Sequence, residues 1–389
     1  FSKEVNPEIA ASLAATQAIE RCDSSHIDFA IVYCSIHYDP KVILPIIKKF
    51  LNTPNIIGSS TAGIILSDRI ETRGISILAI HAGEIKFGCA SIEQISSDKT
   101  FESGTEFART TLQNFGSQGG RQLYIFYFDG QLENTTTFLK GVQEVLGSVF
   151  PIVGGGSSDD YHFDRSFQIF NDQVLKNSAC GILLGGGQFS VGVSGRHGWK
   201  PVGRPRIVTQ SQGNVIYKID DQVAAKIYEE YFGGEVENMR LDQFGRIAIL
   251  YPLGIYVEGS EEYLLRNAIS VQADGSIVCQ GNVPDDSSIH IMIGNKESCK
   301  DAVSQAAQEA KKNLLGKPPK LVLVMESIAR LKLLGRQAKE EIGRIQKIFG
   351  SNTPIFGMYT YGEICPFQSM ENIRKPFLQN ESVIVLAIA

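Results

Sequence analysis

The feature that most constrains this chain is an internal repeat. Three stretches carry one order of predicted elements: helix, strand, helix, a Pro followed by two or three apolar residues and a Gly, and a closing strand. In the first, helices fall at residues 7–21 and 40–51, strands at 29–34 and 75–80, and the intervening loop is Gly58-Ser59-Ser60-Thr61-Ala62-Gly63. In the second, helices fall at 101–115 and 133–146, strands at 123–128 and 180–184, and the loop is Gly154-Gly155-Gly156-Ser157-Ser158-Asp159-Asp160. In the third, helices at 300–315 and 336–349 and strands at 321–325 and 383–388 bracket Gly357-Met358-Tyr359-Thr360-Tyr361-Gly362-Glu363.

Pro ends the preceding helix, the short apolar run reads as a buried strand, and Gly releases the chain into a turn. Continuously apolar strands such as 123–128 and 321–325 suit sheets covered on both faces. The expectation is therefore an α/β fold of two packed domains, residues 1–205 and 206–389, made of repeated helix-strand-helix-loop-strand modules. Mixed sheets are covered by helices. The boundary falls in the Pro- and Gly-rich run from Trp199 to Pro205, followed by a strand at 215–219 and a helix at 221–232. The second half adds a β-rich insertion at 247–255 and 268–292, with Asp274-Gly275 as a hairpin turn.

The chain has 389 residues, a formal net charge of -5 and 20% charged residues, which lacks the basic excess that nucleic acid requires. No apolar run is long enough to span a bilayer. Seven scattered cysteines without a C-x-x-C pair suggest reduced thiols, and cytoplasmic localisation is expected. Phe1 opens the chain and a predicted strand runs to Ala389, so the parent gene is expected to continue on one or both sides.

Ligands in open α/β sheets collect at the carboxyl ends of strands, which makes the three loops the first candidates. Ser59, Ser60 and Thr61 offer hydroxyls. Gly155, Gly156, Ser157 and Ser158 offer backbone and hydroxyl donors, but Asp159 and the absence of a Gly-Lys-Ser/Thr ending argue against a phosphate loop. Tyr359, Tyr361 and Glu363 suit a cationic or aromatic group. A hydrolase using Ser59 or Ser60 needs an oriented base, and none is marked. Arg266 and Arg330 can each hold a ligand carboxylate or pin a loop through a structural ion pair. The six histidines show no metal spacing, so no metal is expected; a lone haem axial ligand needs no motif.

Taken together, several motifs resemble the FIST family. In the first half they are Ile57 to Gly63, Phe128-Asp129-Gly130, Pro151 to Gly156 and His197-Gly198-Trp199. In the second they are Tyr251-Pro252-Leu253-Gly254, Arg266, Asp274-Gly275-Ser276, Arg330 with Leu334-Gly335, Glu340-Glu341 and Pro354 to Glu363. The chain departs from the family pattern at Met325-Glu326-Ser327, where Cys is common, and at Leu378-Gln379-Asn380, where His-Asn is common. The resemblance implies an intracellular sensory domain rather than an enzyme. Its ligand is a small molecule, with amino acids a proposed class, held between the two halves, and Asp129 joins the candidate contacts. Output passes through a signalling partner such as a histidine kinase or a fused domain. No cofactor is expected; the alternative is a haem protein sensing nitric oxide, with His197 or His162 as the iron ligand.

Overall fold

The computed structural model describes residues 1–22, 24, 26–116, 119–233, 247–367 and 374–389. Each repeat forms one module. Its first strand (Phe29–Cys34, Arg121–Asp129 or Leu321–Ser327) pairs in parallel with its second (Ile56–Ser60, Ile152–Ser157 or Ile355–Thr360). It also pairs antiparallel with the closing strand (Ile75–Ile80, Ala179–Gly185 or Val383–Ile388). The parallel pairing is permitted because a full helix crosses between first and second strands: Pro40–Leu51, Thr135–Leu146 and, after a short helix Ile328–Leu334, Lys339–Phe349. Asn6 caps the first helix of module one through Glu8 and Ile9 N–H, and Asn295 does the same for Lys296–Asn313 of module three.

The modules are joined by strand exchange. After its second strand, each module sends a short strand to the outer edge of a neighbour's second strand. Ile64–Leu66 of module one pairs with Ile355–Thr360 of module three, and Gln168–Phe170 of module two with Ile56–Ser60 of module one. Glu363–Phe367 of module three pairs with Ile152–Ser157 of module two. All three pairings are antiparallel, and the cycle closes. Strand Val191–Arg196 of the first half also extends the module-three sheet beside Val383–Ile388.

The inner faces of the three sheets meet in one core holding Tyr33, Ile57, Ile125, Tyr127, Leu323 and Phe356. Tyr33 stacks on Phe356 at 4.7 Å and shares a 2.6 Å hydroxyl contact with Tyr127, so the polar tips of two buried tyrosines satisfy each other. Each outer face is covered by its own helix pair. The β-rich insertion curls into a sheet running from Leu264–Arg266 through Lys200–Gln212 to Ala268–Val271, with a core of its own.

Three expectations are corrected. Gly58, Gly154 and Gly357 do not release turns; each sits inside a second strand, opposite Val32, Phe126 and Val324 respectively. A Cβ on Gly58 would stand 2.2 Å from the Val32 carbonyl oxygen, and one on Gly357 2.3 Å from that of Val324, so Gly is required by close backbone approach. Within residues 247–255 only Leu253–Ile255 is a strand. The helix expected over 221–232 begins at Lys226, because Gln222–Val223 pairs back onto Val215–Ile219. Asp274-Gly275 does form the turn between Ala268–Val271 and Ile277–Cys279.

Candidate functional site

Every second strand ends at the junction of the three modules, and there the loop hydroxyls bond across module boundaries. Ser59 Oγ donates to Ser157 Oγ at 2.7 Å, and Gln168 Nε2 donates to the same oxygen at 2.8 Å. Thr61 Oγ1 donates to the Tyr359 carbonyl at 2.8 Å, and Ser158 Oγ donates to it at 2.6 Å, filling both lone-pair directions of one oxygen. Ala62 N–H donates to Ser158 Oγ at 3.0 Å, while Ser60 Oγ accepts from Phe167 N–H. Gly156 exchanges backbone hydrogen bonds with Tyr361 and Gly362. A Cβ on Gly156 would meet the Tyr361 carbonyl at 2.0 Å; one on Gly155 would strike Thr360. The sequence-predicted residues Ser59, Ser60, Thr61, Gly155, Gly156, Ser157 and Ser158 are thus brought together, as the seam of the fold. Among the described residues no histidine or carboxylate is hydrogen-bonded to Ser59 or Ser60 so as to activate a nucleophile.

The candidate acids have separate tasks. Asp129 accepts from Gln131 N–H, Ser166 Oγ and Asn177 N–H. Asp159 accepts from the backbone N–H groups of Phe163, Asp164 and Arg165 and, at 2.9 Å, from the Tyr361 hydroxyl. It thereby folds residues 159–165 into a strap in which Asp160, Tyr161 and Phe163 hold left-handed backbone at φ 56°, 66° and 59°. Such conformations cost roughly 1 kcal/mol or more each in a non-glycine residue and persist where surroundings enforce them. Here Tyr161 N–H donates to the Tyr361 hydroxyl, Phe163 stacks on the Tyr361 ring at 5.1 Å, and Lys332 Nζ lies 4.6 Å over the Tyr161 ring. Tyr359 points elsewhere, into the helix-covered core of module three.

Glu363 is fully buried. Ser382 donates to its Oε2 through both N–H and hydroxyl, and Thr360 Oγ1 lies 2.5 Å from Oε1. Burial outweighs these contacts and pushes the carboxyl up to about 8. The Thr360 hydroxyl also reaches the Glu326 carbonyl at 3.1 Å, so a protonated Glu363 can donate to Thr360 while Thr360 donates onward. Because the folded value lies above the unfolded one, this stability is present below about pH 4.5 and is lost as pH rises through about 8. Chemical denaturation between pH 6 and 9 should show stability falling by up to about 3 kcal/mol and levelling off above about pH 8. Glu363→Gln should flatten that slope; an unchanged slope would assign it to another group.

The two candidate arginines diverge. Arg330 is wholly buried and bound to Glu326 Oε1 at 3.1 Å, to the Glu341 carboxylate, and to the carbonyls of Cys299 and His197. Burial and the Glu341 charge drive Glu326 well above the usual carboxylate range. Arg330 is therefore a structural tie. Arg266 is also buried, yet it forms no ion pair with any described residue. Its Nε donates to the Asn282 carbonyl at 2.9 Å and its Nη1 to the carbonyls of Leu265 and Leu378, leaving Nη2 without an acceptor among the described residues. Burial lowers its pKa to about 10. Beside it, the Asn267 and Asn282 side-chain oxygens also lack partners. Gly281 makes room for it, since a Cβ there would lie 3.1 Å from Arg266 Nε. Gln280 links this pocket of polarity to module two by donating to the Gly130 carbonyl at 3.3 Å, and Asn380 donates to Gln280. Sequence reasoning missed Asn267, Gln280 and Asn282, which carry no motif and gather only through strand pairing, and noted Asn380 only as part of Leu378-Gln379-Asn380.

His197 is buried, with Nδ1 accepting from Trp199 N–H at 2.9 Å and Nε2 lying 3.1 Å from the Tyr263 carbonyl. Both ring nitrogens are engaged, and burial lowers its pKa. His162 lies exposed on the strap. In this arrangement His197 has no ring nitrogen free for another ligand. Among the described residues no cluster of histidine, cysteine and carboxylate side chains could hold a metal, all seven cysteines are free thiols, and no helix is long and apolar enough to cross a membrane.

A three-module ring of exchanged strands with a β-rich insertion and a polar seam defines a binding scaffold, and comparison gives its family. The FIST N domain matches residues 28–222 and the FIST C domain residues 224–366. The chain belongs to the FIST family, whose domains are generally taken as small-ligand sensory domains in signalling. An uncharacterized protein of Methanocaldococcus jannaschii, MJ1623, is 28% identical over 192 residues, covering 47% of this chain and 36% of that protein. The chain thus matches about a third of that relative's length. Among solved structures, cyanuric acid hydrolase from A. caulinodans aligns with a TM-score of 0.39 at 8% identity, over 99% of this chain and 95% of that one.

Proposed function

We propose that the ligand of this sensory protein is a carboxylate-bearing polar metabolite, an amino acid or a close relative, bound at the seam of the two halves with Arg266 as its anchor. The carrying observation is the buried guanidinium that has no acidic partner and a free Nη2 edge. A desolvated arginine of this kind is stabilised by a bound carboxylate more strongly than an exposed one, because the competing water is absent. The unpartnered Asn267 and Asn282 oxygens supply acceptors for an ammonium or hydroxyl of the same ligand. Tyr361 and the strap over 159–165 close the module-two side. A ligand touching both halves shifts their arrangement by as much as its affinity differs between the two states, and that shift passes to a histidine kinase or a fused output domain. The free thiols support a cytoplasmic setting.

Calorimetry and thermal-shift screening against amino acids and small carboxylic acids test the reading. A ligand should be found whose affinity falls about 30-fold or more in Arg266→Met, as expected on losing a buried charge-assisted pair. Asp159→Asn, which loosens the strap, should change affinity less. A screen without heat or thermal shift, or a ligand indifferent to Arg266→Met in a protein of native circular dichroism, would remove this reading.

A further inference from the structure

The three modules present three equivalent helix pairs to solvent, and their outer faces differ. On Lys296–Asn313 and Lys339–Phe349 no large apolar side chain is exposed, and on Thr100–Phe115 and Thr135–Leu146 only Phe101 is. The pair of module one, Pro7–Arg21 and Pro40–Leu51, is the exception. Ile9 and Leu13, one turn apart on the first helix, are 51% and 41% exposed, and Val5, just ahead of its N-cap Asn6, is 76% exposed. Val42 and Phe50 on the second helix are 36% and 41% exposed, with Pro45 and Ile46 between them. The opposite face of the first helix is a row of buried alanines, Ala10, Ala11, Ala14 and Ala15, which lets it lie close to the module. Side chains at i, i+4 and i+8 share one face of a helix, so each helix carries a continuous outward apolar row.

The two helices run in parallel. Their N-terminal ends are tied by the Tyr38 hydroxyl, which donates to the Glu4 carbonyl at 2.7 Å, and each leads into one of two parallel strands. Charge is divided between them. The first helix carries Glu8, Glu20 and Arg21, the second Lys41, Lys48 and Lys49, and of these only Lys48, with Asp172, forms an ion pair with a described residue.

We propose that this helix pair is a homodimer interface, with a second copy of the chain seated on it through a two-fold axis running along the helices. That axis places the first helix of each copy on the second helix of the other. Glu8 and Lys41 are each the second residue of their helix, so the operation brings Glu8 of one copy level with Lys41 of the other, and Glu20 near Lys49. In this arrangement the basic second helix meets the acidic residues of the first; with the axis across the helices, Lys41 of one copy would meet Lys48 and Lys49 of the other. Two helices of 15 and 12 residues present a face about 20 Å long and 20 Å wide. With side-chain relief this is roughly 800 Å² of accessible surface, the share each partner gives to an ordinary stable dimer. The apolar rows form its centre and the charges its rim.

Sedimentation equilibrium of the 389-residue chain between 1 and 100 μM tests the proposal. The wild type is expected to be a dimer. Ile9→Glu, at a solvent-exposed position that does not threaten the fold, should raise the dissociation constant at least about 100-fold by placing a carboxylate at the centre of the interface. Glu8→Lys and Lys41→Glu should each weaken the dimer several-fold, and the two together should restore it. A wild type that stays monomeric at 100 μM, an oligomer indifferent to Ile9→Glu, or a charge reversal without recovery overturns the proposal. A partner protein that occupies this face on a monomeric chain would appear as the first of these outcomes.

Discussion

Gly58→Ala is expected to destabilise the protein by about 3 kcal/mol or more, the upper range for forcing a methyl group into a packed interior. The new Cβ would lie 2.2 Å from the Val32 carbonyl oxygen and 3.2 Å from the Val32 Cβ. Neither atom can swing away, because Val32 belongs to the first strand and is hydrogen-bonded on both sides. Gly357→Ala should match it, as the Val324 carbonyl stands 2.3 Å away in the equivalent position. Gly154→Ala should be milder, since the Phe126 carbonyl is at 2.8 Å. The control is Gly343 in helix Lys339–Phe349, where nothing lies within 4 Å of a built Cβ. Alanine there should stabilise by about 0.5–1 kcal/mol through helix propensity and reduced unfolded-state entropy. Urea titration of the four variants reads the series, and a loss below about 1 kcal/mol for Gly58→Ala would show that the strands separate readily.

Arg330→Met should cost about 3–5 kcal/mol, the range found when one member of a buried ion network is removed. The loss is not the attraction itself so much as what stays behind. Glu326 and Glu341 are both buried and interact unfavourably, and the carbonyls of Cys299 and His197 would lose their donor. Arg330→Lys should recover little, because one ammonium cannot reach acceptors that lie on four different segments. Removing the acids as well, in Arg330→Met with Glu326→Gln and Glu341→Gln, should recover much of the loss. If the triple variant is no more stable than Arg330→Met, packing rather than charge dominates at this position.

The same residue shows how far the sequence could be read. Arg266 and Arg330 looked alike, each a lone arginine fit for a carboxylate. What separates them is three-dimensional: Glu341 comes from the helix after the turn and Glu326 from the preceding strand, whereas no acidic side chain among the described residues reaches Arg266. Module order was legible because amphipathic helices and continuously apolar strands leave periodic signals. The exchange was not, since Ile64–Leu66 and Gln168–Phe170 are three residues long and Ile65 pairs with Gly357 across most of the chain. The glycines were legible as special and misread in role, for a tight backbone approach and a turn ask for the same missing Cβ. Ser59, Thr61, Ser157 and Ser158 do come together at one place, where their hydroxyls bond one another and the Tyr359 carbonyl across the seam.

The cyclic exchange of strands has a consequence for biosynthesis. When the first two modules have left the ribosome, the sheet of module two still lacks the neighbour that Glu363–Phe367 supplies, and Ile64–Leu66 has no strand to join until Ile355–Thr360 emerges. The ring can therefore close only after residue 363 has emerged, which leaves unpaired strand edges exposed until then and favours slow folding. A chain stopped ahead of residue 355 lacks the strands that Ile64–Leu66 and Ile152–Ser157 pair with, so the ring stays open.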